Sequence, residues 1–201
     1  MGSARFYLDH KSLEQHYQNA GFETYNIDVG DIAVFKGEKM AGWLTGDENR
    51  GFLWAKGLIG GGYIDVLWDG EPVTLRILRA SSNIKPSVVN GKMRIDINIR
   101  TEGNITESKA NINFGDTDVM DKIKNLLNQE VEKEVREAIG SSKKLSVDFM
   151  GFGNCFFMNY PNYWKTVAPK WPGLCSEMEF NVQVISQIQY NGLIKRPAKP
   201  S

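Results

Sequence analysis

The chain has 201 residues, of which 41% are apolar and 24% charged, enough for one medium domain or two small ones with a real core, and unlike a disordered segment. Its 24 basic and 24 acidic residues cancel, which removes the broad positive field that draws proteins to nucleic acid. With two cysteines and two histidines, it lacks the material for a disulfide framework or a cysteine-built zinc site.

The opening Met1-Gly2-Ser3 lacks the basic and apolar blocks of a signal peptide and reads as an added start. From Leu8 to Gly21 a weak helical spacing (Leu13, Tyr17, Ala20) predicts a short helix or ordered arm. His10 and His16 lie there, six apart, whereas a helical metal pair needs three or four, so both are expected to be functionally silent. The β-prone runs Ile32 to Phe35 and Met40 to Leu44 flank Lys36-Gly37-Glu38-Lys39, which predicts a two-residue hairpin turn. Thr45 and Glu48 form a capping box that opens a short helix through Arg50, Leu53 and Trp54, closed by Gly57. Gly60-Gly61-Gly62 has no P-loop lysine or hydroxyl and reads as a joint, followed by a strand from Tyr63 to Trp68.

A sheet pattern begins at Val73. Val73, Leu75 and Ile77 alternate with Thr74, Arg76 and Leu78, Asn90-Gly91 predicts a tight turn, and Met93, Ile95, Ile97 and Ile99 continue the alternation. A separate third strand is expected around Ile105 to Phe114, with Ala110, Ile112 and Phe114 on one side. A fourth, carrying Phe180, Val182, Val184, Ile188 and Tyr190, comes late. The polar faces imply an antiparallel sheet with one wet side, not a doubly wound parallel one.

Between the third and fourth strands, Asp116-Thr117-Asp118 opens a long helix whose apolar residues step by three and four from Val119 to Ile139, with Gly140 expected as its terminator. At 1.5 Å per residue this is a rod of roughly 35 Å. Its expected wet face comprises Lys122, Lys124, Glu130, Glu132, Lys133, Glu134, Arg136 and Glu137, with Glu132–Arg136 as a supportive pair. After it, Phe152, Phe156 and Tyr160 share a helix face, Pro161 suits the first turn of a further helix to Ala168, and Pro169 and Pro172 are expected to stop it. The longest uncharged runs, Phe149 to Trp164 and Phe180 to Ile194, are broken by Gly, Asn, Gln or Pro and do not match the about 20 apolar residues of a membrane span.

The chemistry-bearing residues are sparse. Cys155 and Cys175 have no neighbour in sequence that would activate a thiol; buried free thiols are expected, with a Cys155–Cys175 bridge as the alternative. The carboxylates fall on helix and strand exteriors, and neither a Gly-x-Ser-x-Gly elbow nor a nucleotide loop occurs. No catalytic, cofactor-binding or metal-binding residue is expected. The expected architecture is α+β: residues 1–70 form a partial domain of arm, hairpin and short helix. Residues 71–194 form an antiparallel sheet with the long helix on one face, and 195–201 a flexible tail.

Gly151-Phe152-Gly153, then Phe156, Tyr160-Pro161, Trp164 and Trp171, form a pattern that resembles the C-terminal domain of the C subunit of bacterial spore germinant receptors, the Ger(x)C lipoproteins. Ile32 to Lys36, Gly42-Trp43-Leu44 and Glu48-x-Arg50-Gly51 resemble that family's middle hairpin and helix; Arg79 to Pro86 and Glu102-Gly103-Asn104-Ile105 resemble the start of its sheet. The likeness runs from about Val29 to Ile194. Asn154-Cys155 stand where the family tends to have Glu-Ala, and Phe157 and Met158 where basic residues are usual, which points to an apolar patch or a deeper packing role. The resemblance implies a non-enzymatic subunit on the outer face of the spore inner membrane. There an N-terminal lipid, on a part of the protein upstream of this chain, would hold it, and it would act with integral membrane subunits A and B in nutrient-triggered germination. A free-standing extracytoplasmic module that binds a small nutrient is the alternative. With aromatic residues as the usual docking anchors, Phe157, Met158, Tyr163 and Trp164 are the candidate partner-docking residues.

Overall fold

A computed structural model describes residues 30–190. The helix expected over 8–21, with His10 and His16, and the tail from 195 lie outside these residues.

The first elements follow the local signals. Strands β1 (Ile32–Lys36) and β2 (Lys39–Leu44) pair antiparallel around Gly37, whose φ of 65° suits the turn. Helix α1 (Gly46–Lys56) starts at Thr45, whose backbone N–H donates to Glu48 Oε2 at 3.4 Å, and ends at a left-handed Gly57.

The second sheet has four strands in the order β3-β4-β5-β6: β3 (Gly62–Trp68), β4 (Glu71–Val89), β5 (Lys92–Ser108) and β6 (Glu179–Gln189). Asn90 and Gly91, both at positive φ, turn β4 into β5. The inner face is formed by Ile64, Val66, Val73, Leu75, Ile77, Ile95, Ile97, Ile99, Val182, Val184 and Ile188, all buried. Ser186 takes an inward place in β6 and satisfies its hydroxyl on the Lys124 carbonyl at 3.3 Å, leaving Ile185 outside.

Three expectations about the sheet are corrected. The strands read separately at Met93–Ile99 and Ile105–Phe114 are one 17-residue strand ending at Ser108. Glu102-Gly103-Asn104 does not interrupt it. Gly103 sits mid-strand because a Cβ there would lie 2.9 Å from the Arg76 carbonyl oxygen. Residues 109–116 are irregular because Asn113 draws the Gly115 N–H onto its side chain and the Asp116 N–H onto its carbonyl. Finally, β6 runs parallel to β5, whereas the other pairs are antiparallel. Alternation is the same in either direction; the intervening helices return the chain to the end from which β5 set out.

Helix α2 (Thr117–Leu145) has 29 residues and a length of roughly 43 Å, and its first turn is capped by Asp116, which accepts the Asp118 N–H at 2.9 Å. It runs through Gly140 instead of ending there and stops at a left-handed Ser146. Ser141 and Ser142 explain the extra turn: both are buried, one hydroxyl donating to Glu48 Oε1 and the other to the Val147 carbonyl. Ile123, Leu127, Val131, Val135 and Ala138, all at zero exposure, line its buried stripe. The helix packs across β6 and β3, and α1 packs on α2. Leu145 meets Gly42 of β2, so the hairpin leans on the end of the same helix. On the outside, Arg136 Nη2 pairs with Glu132 at 2.7 Å.

The helices touch most closely at Gly51, where a Cβ would fall 1.9 Å from the Glu134 carbonyl oxygen. Gly51→Ala is therefore expected to push α1 off α2 and lower stability by roughly 1–3 kcal/mol. Urea unfolding of the variant beside the parent checks this; an unchanged midpoint would refute the close approach.

Candidate functional site

The most distinctive stretch folds into three short helices joined by tight corners: α3 (Phe152–Asn159), α4 (Pro161–Val167) and α5 (Trp171–Glu177), with a 3-10 turn over Ala168–Lys170 before α5. Pro161 opens α4 as expected. Pro169 and Pro172 do not end the helical region; they fall at the starts of the 3-10 turn and of α5, where a missing N–H costs nothing.

A single carboxylate anchors the group. Asp148 accepts the backbone N–H groups of Phe152 at 2.9 Å and Gly153 at 2.6 Å, and Trp171 Nε1 at 3.1 Å. An acid at the head of α3 meets the positive end of its dipole, and the indole bond ties α5 back to that head. Gly153 gives the two indoles room: a Cβ there would lie 2.9 Å from both Trp164 and Trp171. Those rings meet edge to face at 4.9 Å, and Phe156 lies 5.8 Å from Trp171 and 6.2 Å from Tyr160.

This packing sorts the four candidate docking residues. Phe157 is 44% exposed and Met158 70%, on the side of α3 opposite the fully buried Phe152 and Phe156. Tyr163 and Trp164 are half-buried and packed against the core. All four share one corner, but Phe157 and Met158 form its outer surface and the other two its underside. Tyr160, 37% exposed, joins the outer group.

Glu134, expected on the wet face of α2, is instead fully buried. It accepts both Arg50 Nε, at 2.7 Å, and Arg50 Nη2, and its Oε2 also accepts Trp54 Nε1 at 2.9 Å. Arg50 reaches Asp47 at 3.4 Å, and Asp47 in turn pairs with Lys133 at 3.5 Å. Burial pushes the Glu134 carboxyl above the ordinary carboxylate value, against the lowering pull of Arg50 and the Trp54 N–H, while the bond to Glu134 raises Arg50. Its oxygens face the guanidinium and indole that hold α1 to α2, so the chemistry is that of a clamp. The available sequence signal was that Arg50 and Trp54, four apart, share one face of α1.

Cys155 and Cys175 are free thiols, half-buried and buried respectively. Burial pushes both up from the ordinary thiol value, Cys175 to about 12, which makes them poor nucleophiles at neutral pH. Among the described residues, no group of three or more His, Cys, Asp and Glu is placed to hold a metal ion, and no helix is long and apolar enough to cross a membrane. A depression of 180 Å³ lined by Asp65, Pro72, Thr74, Glu107 and Lys109 is open and smaller than the roughly 300–1,000 Å³ of small-molecule sites.

Removing one partner of a buried pair strands the other. Arg50→Met is expected to cost roughly 3–5 kcal/mol. With Arg50 gone, Glu134 holds its proton in the fold to higher pH than in the unfolded chain. The variant's stability is then greatest below the ordinary carboxylate range and falls as pH rises through the folded value. Urea midpoints from pH 5 to 8 should show a gap from the parent that widens with pH; a constant gap would contradict the geometry. In a thiol-reagent assay, Cys175 should stay unreactive in the folded chain and both thiols should titrate once urea unfolds it.

Similarity agrees with the geometry. The family described as "Spore germination B3/ GerAC like, C-terminal" matches residues 30–192. Spore germination protein KC of Bacillus subtilis (strain 168) is 29% identical over 177 residues, which cover 86% of this chain and 44% of that protein. Spore germination protein B3 of the same organism is 26% identical over 152 residues, covering 75% and 41%. The crystal structure of the GerBC protein shares the fold, with a TM-score of 0.72 at 24% identity over 79% of this chain and 51% of that one. The chain thus spans less than half the length of these two curated relatives. The α+β sheet, its long covering helix and the match across residues 30–192 place the chain in the spore germination B3/GerAC-like C-terminal family.

Proposed function

We propose that this chain is the C-terminal part of a spore germinant-receptor C subunit, a non-enzymatic assembly component that acts with membrane subunits A and B when nutrients trigger germination. The family match across residues 30–192 carries the reading. The relatives named as spore germination proteins support it. So does the character of the polar groups: Glu134 is locked in an ion pair, Asp148 in three capping bonds, and the thiols are held protonated by burial. In this reading the protein works at the outer face of the spore inner membrane, held by a lipid on its upstream part.

Two measurements test this. Spores that lack the intact gene should lose response to one set of nutrients while keeping others, and affinity purification from spores should bring down subunits A and B. If germination is unchanged for every nutrient and neither subunit is recovered, the proposal fails.

A further inference from the structure

The exposed corner has a composition of its own. From Phe157 to Asn162 six consecutive residues are exposed: Phe, Met, Asn, Tyr, Pro and Asn, none of them charged. The segment that bears them, residues 152–170, carries two lysines, Lys165 and Lys170, both exposed, and no acid. The flanking acids in sequence are Asp148, committed to three N–H donors, and Glu177, exposed at the end of α5. The whole chain is neutral, so this positive excess is local. Lys165 follows Pro161 by four positions on α4, which puts its charge on the exposed side one turn from the corner.

Part of the backbone at the corner is paired internally. The Tyr160 N–H donates to the Phe156 carbonyl at 2.8 Å, Pro161 has no N–H, and the Trp164 N–H returns to the Tyr160 carbonyl at 2.8 Å. The Asn159 side chain donates to the Cys155 carbonyl at 2.8 Å. These paired groups would not be stripped of hydrogen-bond partners if the corner sat at an apolar boundary. Its underside is fixed by the Phe156–Trp171–Trp164 stack, so little order would be lost on docking. An apolar tip with Phe, Met and an amphipathic Tyr, on a segment whose charged side chains are two exposed lysines, is complementary to an anionic lipid surface.

We infer that the α3–α4 corner inserts Phe157, Met158 and Tyr160 into the interface of an anionic bilayer, with Lys165 and Lys170 over the headgroups. This deepens the receptor reading and rests on it for the presence of a membrane. It names lipid, and not a partner subunit, as what the corner meets.

The test is sedimentation of the purified 201-residue chain with vesicles of phosphatidylcholine alone and of phosphatidylcholine with 30 mol% phosphatidylglycerol, the latter fraction chosen as about that of an anionic membrane leaflet. Binding is expected to the anionic vesicles only and to weaken with salt. Phe157→Ser with Met158→Ser should reduce it about tenfold or more, as should Lys165→Glu with Lys170→Glu. Both pairs replace exposed side chains, and unchanged urea midpoints would show that the fold is kept. No binding to anionic vesicles, or equal binding by the serine variant, overturns the inference. So does self-association in sedimentation velocity that the serine variant abolishes while no vesicles are bound, which would make the corner a contact between copies. None of these results bears on nutrient response or on recovery of subunits A and B, so the receptor reading stands or falls separately.

Discussion

The carboxylate of Glu134 sits where a charged group is hardest to keep, at zero exposure between two helices, and the packing of α1 on α2 depends on how it is held. Ionised and alone it would be expelled from such a place at a cost of several kcal/mol. The Arg50 fork and the Trp54 indole meet it from one face of α1, and Gly51 lets the backbones come close enough for them to reach. Close approach and charge pairing require one another: with a bulkier residue at 51 the guanidinium would lose its reach, and without the guanidinium the approach would bury a naked anion. Apolar side chains make this interface strong, but they slide; a forked pair with an indole bond fixes the rotation of one helix on the other.

From that fixed helix pair the remaining parts take their places. The stripe of α2 from Ile123 to Ala138 covers the sheet, its last turn supports the hairpin through Leu145 and Gly42, and the loop beyond it presents Asp148 to the head of α3. The fold thus separates two kinds of surface. One side of the sheet is dry and covered by α2 together with α1 and α3. The α3–α5 group turns Phe152 and Phe156 inward and leaves Phe157, Met158 and Tyr160 exposed at its corner.

Much of this was legible because it is local. The Gly37 turn, the Thr45–Glu48 box, the Asn90-Gly91 turn and the α2 stripe each rest on residues within a few positions of one another, and the fold keeps all four. What was misread depends on distant partners. Glu134 stands among Glu132, Lys133 and Arg136 in sequence, so its row reads as wet; only Arg50, 84 residues earlier, makes burial tolerable. Gly140 reads as a stop, but Ser141 finds Glu48 and the helix continues. The direction of β6 is invisible to alternation, and Gly103 marks crowding across the sheet, not a bend in it. At the candidate site the aromatic set was recognisable, while its division into Phe157 and Met158 outside and Tyr163 and Trp164 beneath needed the corner at Pro161 in three dimensions.

The parallel pairing of β6 with β5 has a consequence for the order in which this molecule can be made. Strand β5 ends at Ser108 and its partner begins at Glu179, so one side of its ladder stays open until all the helices have been synthesised. At a ribosomal rate of about 5–20 residues per second that is an interval of several seconds during which a row of isoleucines has its flank exposed. The distant pairing also raises the mean contact separation, which slows the final step of folding. Chaperone demand during synthesis should therefore be concentrated before residue 179, and any shortened version that stops ahead of that point would retain a sticky seam along β5.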